Sequence, residues 1–124
     1  MTPIIVNGAA GRMGRRILTL AAEQPETYRI VAGVDRTAGS LRDLGVPADG
    51  HVLTALPVAP GAVVIDFSHH AVFPAVAQHC RQHGMALASG TTGLTPEVLD
   101  RELGGLAASR ACLHAGNMSV GVNV

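Results

Sequence analysis

The sequence predicts a doubly wound α/β domain, in which helices cover both faces of a parallel sheet. Short apolar strands alternate with segments whose apolar residues recur at helical spacing, which implies right-handed crossovers between parallel strands. Of the 124 residues, 48% are hydrophobic and only 15% are charged, as expected for a sheet buried on both faces. The shortage of charge also fits a piece of a larger protein that expects a partner. The length suits one domain with its own core.

The N-terminal half contains a strand, a helix and a second strand. The β-branched run Ile4–Val6 ends at a turn, Asn7-Gly8. Apolar residues recur at helical spacing over Arg12–Glu23. A second strand is expected over Tyr28–Asp35. Residues 36–61 are expected to form a long connection that contains a minor strand or a helical turn.

The C-terminal half continues the alternation of strand and helix. Gly84 is positioned to cap the first of its helices in the left-handed conformation. The expected elements are a strand at Ala62–Phe67, a helix at Ala71–His83, a strand at Met85–Ser89, a helix from Thr95 and a strand at Ala111–Ala115.

Composition argues against several classes of function. Nine basic and nine acidic side chains give no net charge, whereas nucleic-acid binding needs a basic face. The chain has one Tyr and no Trp, so it lacks base-stacking platforms. No apolar stretch approaches the ~20 residues of a membrane helix, and the N-terminus does not resemble a signal peptide. We therefore expect a cytoplasmic protein with neither nucleic acid nor membrane as partner.

Cysteine and histidine spacing gives no sign of a metal site. Cys80 and Cys112 are far apart and are expected to be free thiols. The adjacent pair His69-His70 diverges on either a strand or a helix. His79 and His83 share a helix face at i, i+4, but no Glu accompanies them.

A glycine-rich loop follows the first strand, where parallel sheets bind ligands. Its spacing is G-x-x-G-x-x-G, because Ala10 stands where the stricter G-x-G-x-x-G pattern has its second glycine. Gly8 permits a tight turn, Gly11 lets the backbone approach a pyrophosphate, and Gly14 allows close packing of helix on strand. The helix N-terminus offers unpaired N–H groups to phosphates. Turn formation and tight packing alone are the competing explanation.

Charged and small polar residues end the later strands. Asp35 follows the glycine loop by about 20 residues, where an acid accepts hydrogen bonds from adenine-ribose hydroxyls. The neighbouring Arg36 can meet the 2′-phosphate of NADP. A strand-ending acid beside a solvated arginine is the alternative. The loops Gly90–Gly93 and Ala115–Ser119 can approach a nicotinamide ring, although as turns they are unremarkable. The cofactor expected is NADPH or NADH, with the preference left open.

Together, four strings resemble the 4-hydroxy-tetrahydrodipicolinate reductase (dihydrodipicolinate reductase) family, NAD(P)H-dependent enzymes of lysine and diaminopimelate synthesis. They are Gly8–Gly14, Asp66–Ser68, Gly90–Gly93 and Asn117–Asn123, and the resemblance spans the chain except residues 37–61. It implies a Rossmann-like fold, with Phe67 and Ser68 beside the cofactor. It also implies cofactor contacts at Gly8, Ala9, Ala10, Gly11, Arg12, Met13, Asp35, Arg36, Gly90, Thr91, Thr92, Ala115, Gly116, Asn117 and Met118.

The sequence departs from the family pattern in three respects. His70 stands where the family often has Pro, and Met118 where it often has an aromatic residue. The third concerns the second domain of the family, whose Glu-x-His-His-x-x-Lys and Asp-x-Pro-Ser-Gly-Thr strings supply the acid and bind substrate. Neither string occurs in this chain. Residues 1–124 are therefore expected to be a dinucleotide-binding domain without catalytic residues, inactive alone.

In the intact enzyme, the resemblance implies hydride transfer to a cyclic dipicolinate precursor, bound by the domain absent from this chain, within a homotetramer. Two alternatives stay open. One is a stand-alone dinucleotide-sensing module. The other is the cofactor domain of another NAD(P)-dependent amino-acid dehydrogenase, which would share the glycine loop and Asp35 but not the string Asn117–Asn123.

Overall fold

The apolar segments of the chain pair side by side in one sheet. In the computed structural model, which describes residues 1–69 and 71–90 and the backbone of 112–114, the sheet has seven strands, ordered β3-β4-β2-β1-β5-β6-β7. All strand pairs are parallel except β3 with β4, which confirms the predicted α/β fold. The elements are β1 (Thr2–Asn7), α1 (Arg12–Ala22), β2 (Tyr28–Val34), β3 (Gly39–Ser40), β4 (His51–Leu53), β5 (Val63–Asp66), α2 (Phe73–His83), β6 (Ala86–Ser89) and β7 (Cys112–His114).

The strand β1 is buried on both faces because α1 and α2 cover opposite sides of the sheet. Ile4 and Val6 belong to one apolar cluster with Leu18 of α1. Ile5 belongs to the other, with Phe73 of α2. This two-sided burial explains why an uninterrupted apolar run, rather than an alternating pattern, marks the strand.

The helix α2 has the expected boundary signals. Gly84 ends it in the left-handed conformation, with φ of 68°. Pro74 lies in its first turn, where the missing N–H costs no hydrogen bond. The helix begins at Phe73 rather than at the expected Ala71, because Ala71 and Val72 lie in a turn, in which the Val72 N–H donates to the His69 carbonyl oxygen at 2.9 Å. Within the described part of the chain, no helix is long and apolar enough to cross a membrane.

Residues 36–61, expected to contain a minor strand or a helical turn, contain both. The short strands β3 and β4 flank a 3₁₀ helix at Arg42–Leu44. Leu41 and Val46, on either side of this turn, are buried in the same apolar cluster as α1. The connection is thus part of the core and adds two short strands, β4 and β3, beyond β2. The helix expected from Thr95 lies outside the described residues.

Candidate functional site

A cavity of about 590 Å³ opens at the carboxyl ends of β1, β2 and β5. The strand order reverses here, because β1 leads to β2 on one side while β5 lies on the other. Parallel α/β sheets bind ligands in the crevice at such a point. The cavity is lined by Asn7, Gly8, Ala10, Gly11, Val34, Asp35, Arg36, Thr54, Phe67, Ser68, His69 and Val72.

Gly8 brings the ends of three strands together beneath the cavity. Its φ of 87° is a left-handed conformation that favours glycine. Its N–H donates to the Val34 carbonyl of β2 at 2.8 Å. A Cβ atom would lie 2.7 Å from the Phe67 carbonyl oxygen and 3.1 Å from the Ser68 nitrogen. A side chain at this position would therefore separate β1 from the segment that follows β5.

The glycine loop leads into the N-terminus of α1 at the cavity wall. Gly11 caps the helix with extended backbone and no side-chain hydrogen bond. A Cβ there would meet only the Gly8 carbonyl oxygen within 4 Å, at 3.4 Å, whereas a Cβ at Gly14 would overlap the same oxygen. The first-turn N–H groups of Arg12 and Met13 have no acceptor within the helix and carry the positive end of its dipole. This arrangement can bind an anion.

Asp35 connects the glycine loop to the end of β2. Its Oδ2 accepts the backbone N–H of Ala10 at 2.8 Å, and its Oδ1 accepts that of Arg36 at 2.8 Å. Each carboxylate oxygen can accept more than one hydrogen bond, so a hydroxyl in the cavity can still reach Asp35. The exposed side chain of Arg36 stands on the same rim. This end of the cavity can hold a ribose and a phosphate.

At the opposite end of the cavity, a buried acid holds the loop that follows β5. Asp66 is 0% exposed. Its Oδ1 accepts hydrogen bonds from Asn7 Nδ2 (3.2 Å), the Ser68 N–H (3.1 Å) and Ser68 Oγ (2.5 Å), while Ser89 Oγ lies 3.4 Å from its Oδ2. The family string Asp66–Ser68 pointed to this segment, but the sequence did not predict that Asn7 and Ser89 contact Asp66 here. The available signal was a single acid at the end of an otherwise apolar strand.

The Phe67 ring lies against Gly90 at the edge of the cavity. A Cβ on Gly90 would overlap this ring and come 2.9 Å from its Cδ1 atom. Gly90 therefore supports a residue that lines the cavity, although it is not itself a lining residue. Its N–H donates to the Asp66 carbonyl oxygen at 2.8 Å, which fixes the end of β6 next to the end of β5.

Several expected site residues come together in the cavity, and others lie elsewhere. Seven line it: Gly8, Ala10, Gly11, Asp35, Arg36, Phe67 and Ser68. Ala9 is instead fully buried under the loop, with its N–H 3.1 Å from the Val34 carbonyl oxygen. Arg12 and Met13 begin α1. Gly90 supports the Phe67 ring, and the other expected residues lie outside the described part of the chain: Thr91, Thr92, Ala115, Gly116, Asn117 and Met118.

Cys80 and His79 lie outside the cavity lining and make contacts within the fold. Cys80 is buried and free, as expected. Burial, and to a lesser extent the charge of Asp66, raises the pKa of its thiol to about 12. His79 Nε2 lies 2.9 Å from the Pro57 carbonyl oxygen. Among the described residues, no three His, Cys, Asp or Glu side chains are grouped to hold a metal ion.

Comparison with known proteins gives consistent matches over nearly the whole chain. The profile of the family described as "Dihydrodipicolinate reductase, N-terminus" matches residues 2–118. The 4-hydroxy-tetrahydrodipicolinate reductase of Nitratidesulfovibrio vulgaris (strain DP4) is 42% identical over 99% of this chain and 48% of its own length. That of Stenotrophomonas maltophilia (strain R551-3) is 41% identical over 98% of this chain and 50% of its own length.

A solved structure has the same fold. Dihydrodipicolinate reductase from Paenisporosarcina sp. TG-14, bound to dipicolinate, superposes with a TM-score of 0.70 at 23% identity. The match covers 98% of this chain and 49% of that one. The chain thus spans about half the length of the curated relatives it matches.

Proposed function

The chain belongs to the dihydrodipicolinate reductase family, and from this premise we propose that it is the NAD(P)H-binding half of a reductase. The reaction proposed for the whole enzyme forms tetrahydrodipicolinate from its 4-hydroxy precursor in lysine and diaminopimelate synthesis. The observation that carries the proposal is the convergence of the glycine loop, the α1 N-terminus and Asp35 on one cavity. Family membership supports this reading over the two alternatives, a stand-alone sensing module and the cofactor domain of another amino-acid dehydrogenase.

The centre of the cavity fits the pyrophosphate of a dinucleotide. Gly11 faces it without a side chain, and a Cβ there would have a single neighbour within 4 Å. The Arg12 and Met13 N–H groups at the start of α1 donate to phosphate oxygens in this proposal. Gly14 keeps the helix close enough to β1 for these donors to reach the cavity.

The end of β2 fits the adenosine half of the cofactor. Asp35 accepts from the ribose hydroxyls with the lone pairs that Ala10 and Arg36 leave available. The Arg36 guanidinium binds the 2′-phosphate of NADPH by charge-assisted hydrogen bonds. With NADH, the same arginine stays solvated while the carboxylate binds the 2′-hydroxyl. This pair of side chains is compatible with both cofactors.

The segments after β5 and β6 are proposed to surround the nicotinamide half. Bound NAD(P)H supplies a hydride from its nicotinamide ring. Phe67 and Ser68 hold this half from the side of β5, and Gly90 keeps the Phe67 ring in place. The further contacts proposed from the family resemblance are Thr91, Thr92, Ala115, Gly116, Asn117 and Met118.

We propose that substrate binding and proton supply belong to a second domain of the whole enzyme. Relatives about twice as long have room for a second domain that binds the substrate and supplies the proton. We propose that the whole enzyme is a cytoplasmic homotetramer and that residues 1–124 alone turn over no substrate.

Cofactor titration tests the proposal. The purified protein is titrated with NADPH and with NADH, and nicotinamide fluorescence reports binding. Arg36→Ala should weaken NADPH binding by about ten- to a hundredfold, the range for a hydrogen bond to a charged group, and leave NADH binding nearly unchanged. Arg42→Ala is the matched control, since Arg42 is exposed, is paired with Asp49 at 2.9 Å and lies outside the cavity lining. A wild-type protein that binds neither dinucleotide would overturn the proposal.

The reductase step has its own test. The protein at its natural length is supplied with the 4-hydroxy precursor, and oxidation of NAD(P)H is followed by absorbance. Consumption of NAD(P)H that depends on this precursor is expected. Cofactor binding without any such turnover would exclude the assigned reaction while leaving the cofactor site intact.

A further inference from the structure

The hydrogen bonds of Asp66 determine which way the Ser68 hydroxyl presents its lone pairs. A carboxylate has oxygen acceptors and no proton to donate, so the proton of the 2.5 Å bond between Ser68 Oγ and Asp66 Oδ1 must come from Ser68. The length is in the range of a hydroxyl donating to a charged oxygen. The Ser68 N–H donates to the same oxygen at 3.1 Å, so both donors of this residue point into the protein.

Ser68 is also part of the cavity wall. It is half-buried and lines the cavity, whereas Asp66 beneath it is fully buried. With its proton committed to Asp66, the hydroxyl oxygen can only accept a hydrogen bond from a ligand. Asn7, another lining residue, donates its side-chain N–H to the same carboxylate at 3.2 Å. The buried acid therefore sets the hydrogen-bonding character of this end of the cavity.

The position of Ser68 identifies the part of the ligand that it meets. Asp35 follows β2, Gly8 follows β1 and Ser68 follows β5, so Ser68 and Asp35 lie on opposite sides of β1. A dinucleotide whose adenine ribose is at Asp35 extends its other half towards β5. The groups there that can donate are the carboxamide N–H and the ribose hydroxyls of the nicotinamide half.

We propose that Asp66 is a positioning residue that makes Ser68 a dedicated acceptor for an N–H or O–H group on the nicotinamide half of the bound dinucleotide. The inference rests on the proposed function, because it requires NAD(P)H in this cavity. The sheet brings Asp66 together with two of its hydrogen-bond partners, because Asn7 ends β1, Asp66 ends β5 and Ser89 ends β6. The carboxylate thus also joins three strand ends, so the test must separate positioning from general stability.

The test compares two ligands in one set of variants of the protein at its natural length. NADPH contains the nicotinamide half, and adenosine 2′,5′-bisphosphate lacks it. Ser68→Ala should raise the dissociation constant for NADPH by about three- to tenfold, the effect of one neutral hydrogen bond, and leave that for the bisphosphate unchanged. Ser68→Thr keeps a hydroxyl and should restore NADPH affinity. General damage to the fold would instead weaken the binding of both ligands.

Two further variants test the role of the acid. Ser89→Ala also removes a hydroxyl bonded to Asp66, but Ser89 does not line the cavity, so binding of both ligands should stay unchanged. Asp66→Asn can keep an oxygen towards Asn7 and Ser68 and turn its amide to Ser89 Oγ, which can accept. The neutral amide oxygen accepts the Ser68 proton less strongly than the charged carboxylate does, so this variant should weaken NADPH binding alone and by less than Ser68→Ala does. Adding it to Ser68→Ala should cause no further loss.

The outcomes distinguish the inference from the proposed function. If Asp66→Asn does not fold, the inference is tested by comparing the NADPH affinities of Ser68→Ala and Ser89→Ala, each of which removes one hydroxyl bonded to Asp66. Three results would overturn the positioning role alone. They are wild-type NADPH affinity in Ser68→Ala, equal losses of affinity for the two ligands, and additive losses in the double variant. A wild type that binds neither ligand would overturn the proposed function and this inference with it.

Discussion

Replacement of Gly14 by Ala tests whether close packing of α1 on β1 builds the cofactor cleft. A Cβ at this position would overlap the Gly8 carbonyl oxygen and lie 2.9 Å from both the Gly8 carbonyl carbon and the Ala9 Cα. Ordinary contacts begin at 3.4 Å. The added methyl group therefore forces the N-terminus of α1 away from the glycine loop by about half an ångström or more, since overpacked sites relax by backbone shifts.

Two effects of opposite sign decide the change in unfolding free energy. Alanine is favoured over glycine inside a helix by about 1 kcal/mol. Overpacking a buried site costs about 1–3 kcal/mol, and occasionally more. The atoms in the way are backbone atoms of Gly8 and Ala9, which cannot rotate aside as a flexible side chain would. The upper end of that range therefore applies, and we expect a net destabilisation of about 2 kcal/mol.

Denaturant unfolding followed by circular dichroism measures this change, and titration with NADPH measures its effect on the site. Gly39→Ala is the matched control, because Gly39 is exposed and a Cβ there would meet only Asp43 Oδ2, at 3.4 Å. The control should stay within about 0.5 kcal/mol of wild type. Equal unfolding midpoints for the two variants, or undiminished NADPH affinity in Gly14→Ala, would refute the packing argument.

Two further predictions concern Asp35 and Cys80. Asp35→Ala removes the acceptor of the Ala10 N–H and should weaken NADH binding by about tenfold, with a stability change under about 1 kcal/mol, since the bond is exposed. NADPH binding should weaken less, because NADPH has no 2′-hydroxyl to donate to this acid; unchanged NADH affinity in titrations would contradict this. The thiol of Cys80 has its pKa raised from 9.0 to about 12 by burial and then by Asp66, so its stabilising contribution is complete below pH 9 and is lost as the pH rises towards 12. In unfolding experiments between pH 8 and about 11, Cys80→Ala should therefore lose less stability than wild type, and parallel pH profiles would count against the buried thiol.

The helices and central strands could be predicted from local patterns because the chain buries them in regular ways. The apolar run Ile4–Val6 marks a strand covered on both faces. Gly84 and Pro74 mark the two ends of α2. Residues 36–61 were harder, because β3 and β4 are only two and three residues long. Such strands are held by their neighbours in the sheet and leave little periodicity in the sequence.

The candidate site could be predicted in part. The glycine spacing and the position of Asp35 placed five expected residues around one cavity. Sequence reasoning did not find that Asp35 bonds the Ala10 N–H, nor that Ala9 is buried beneath the loop. These contacts depend on how the loop folds back over β2, and spacing along the chain does not determine that geometry.

The sequence by itself determined the α/β class, the family, the glycine loop and the acid at the end of β2. Each of these can be recognised from neighbouring residues or from a regular spacing along the chain. Only the tertiary structure decided which side chains meet: Asn7 and Asp66 are 59 residues apart and share a hydrogen bond, and Ala10 and Asp35 are 25 apart. A parallel sheet places the ends of distant strands side by side, so the chemistry of the cleft depends on strand order and register, which no local pattern records.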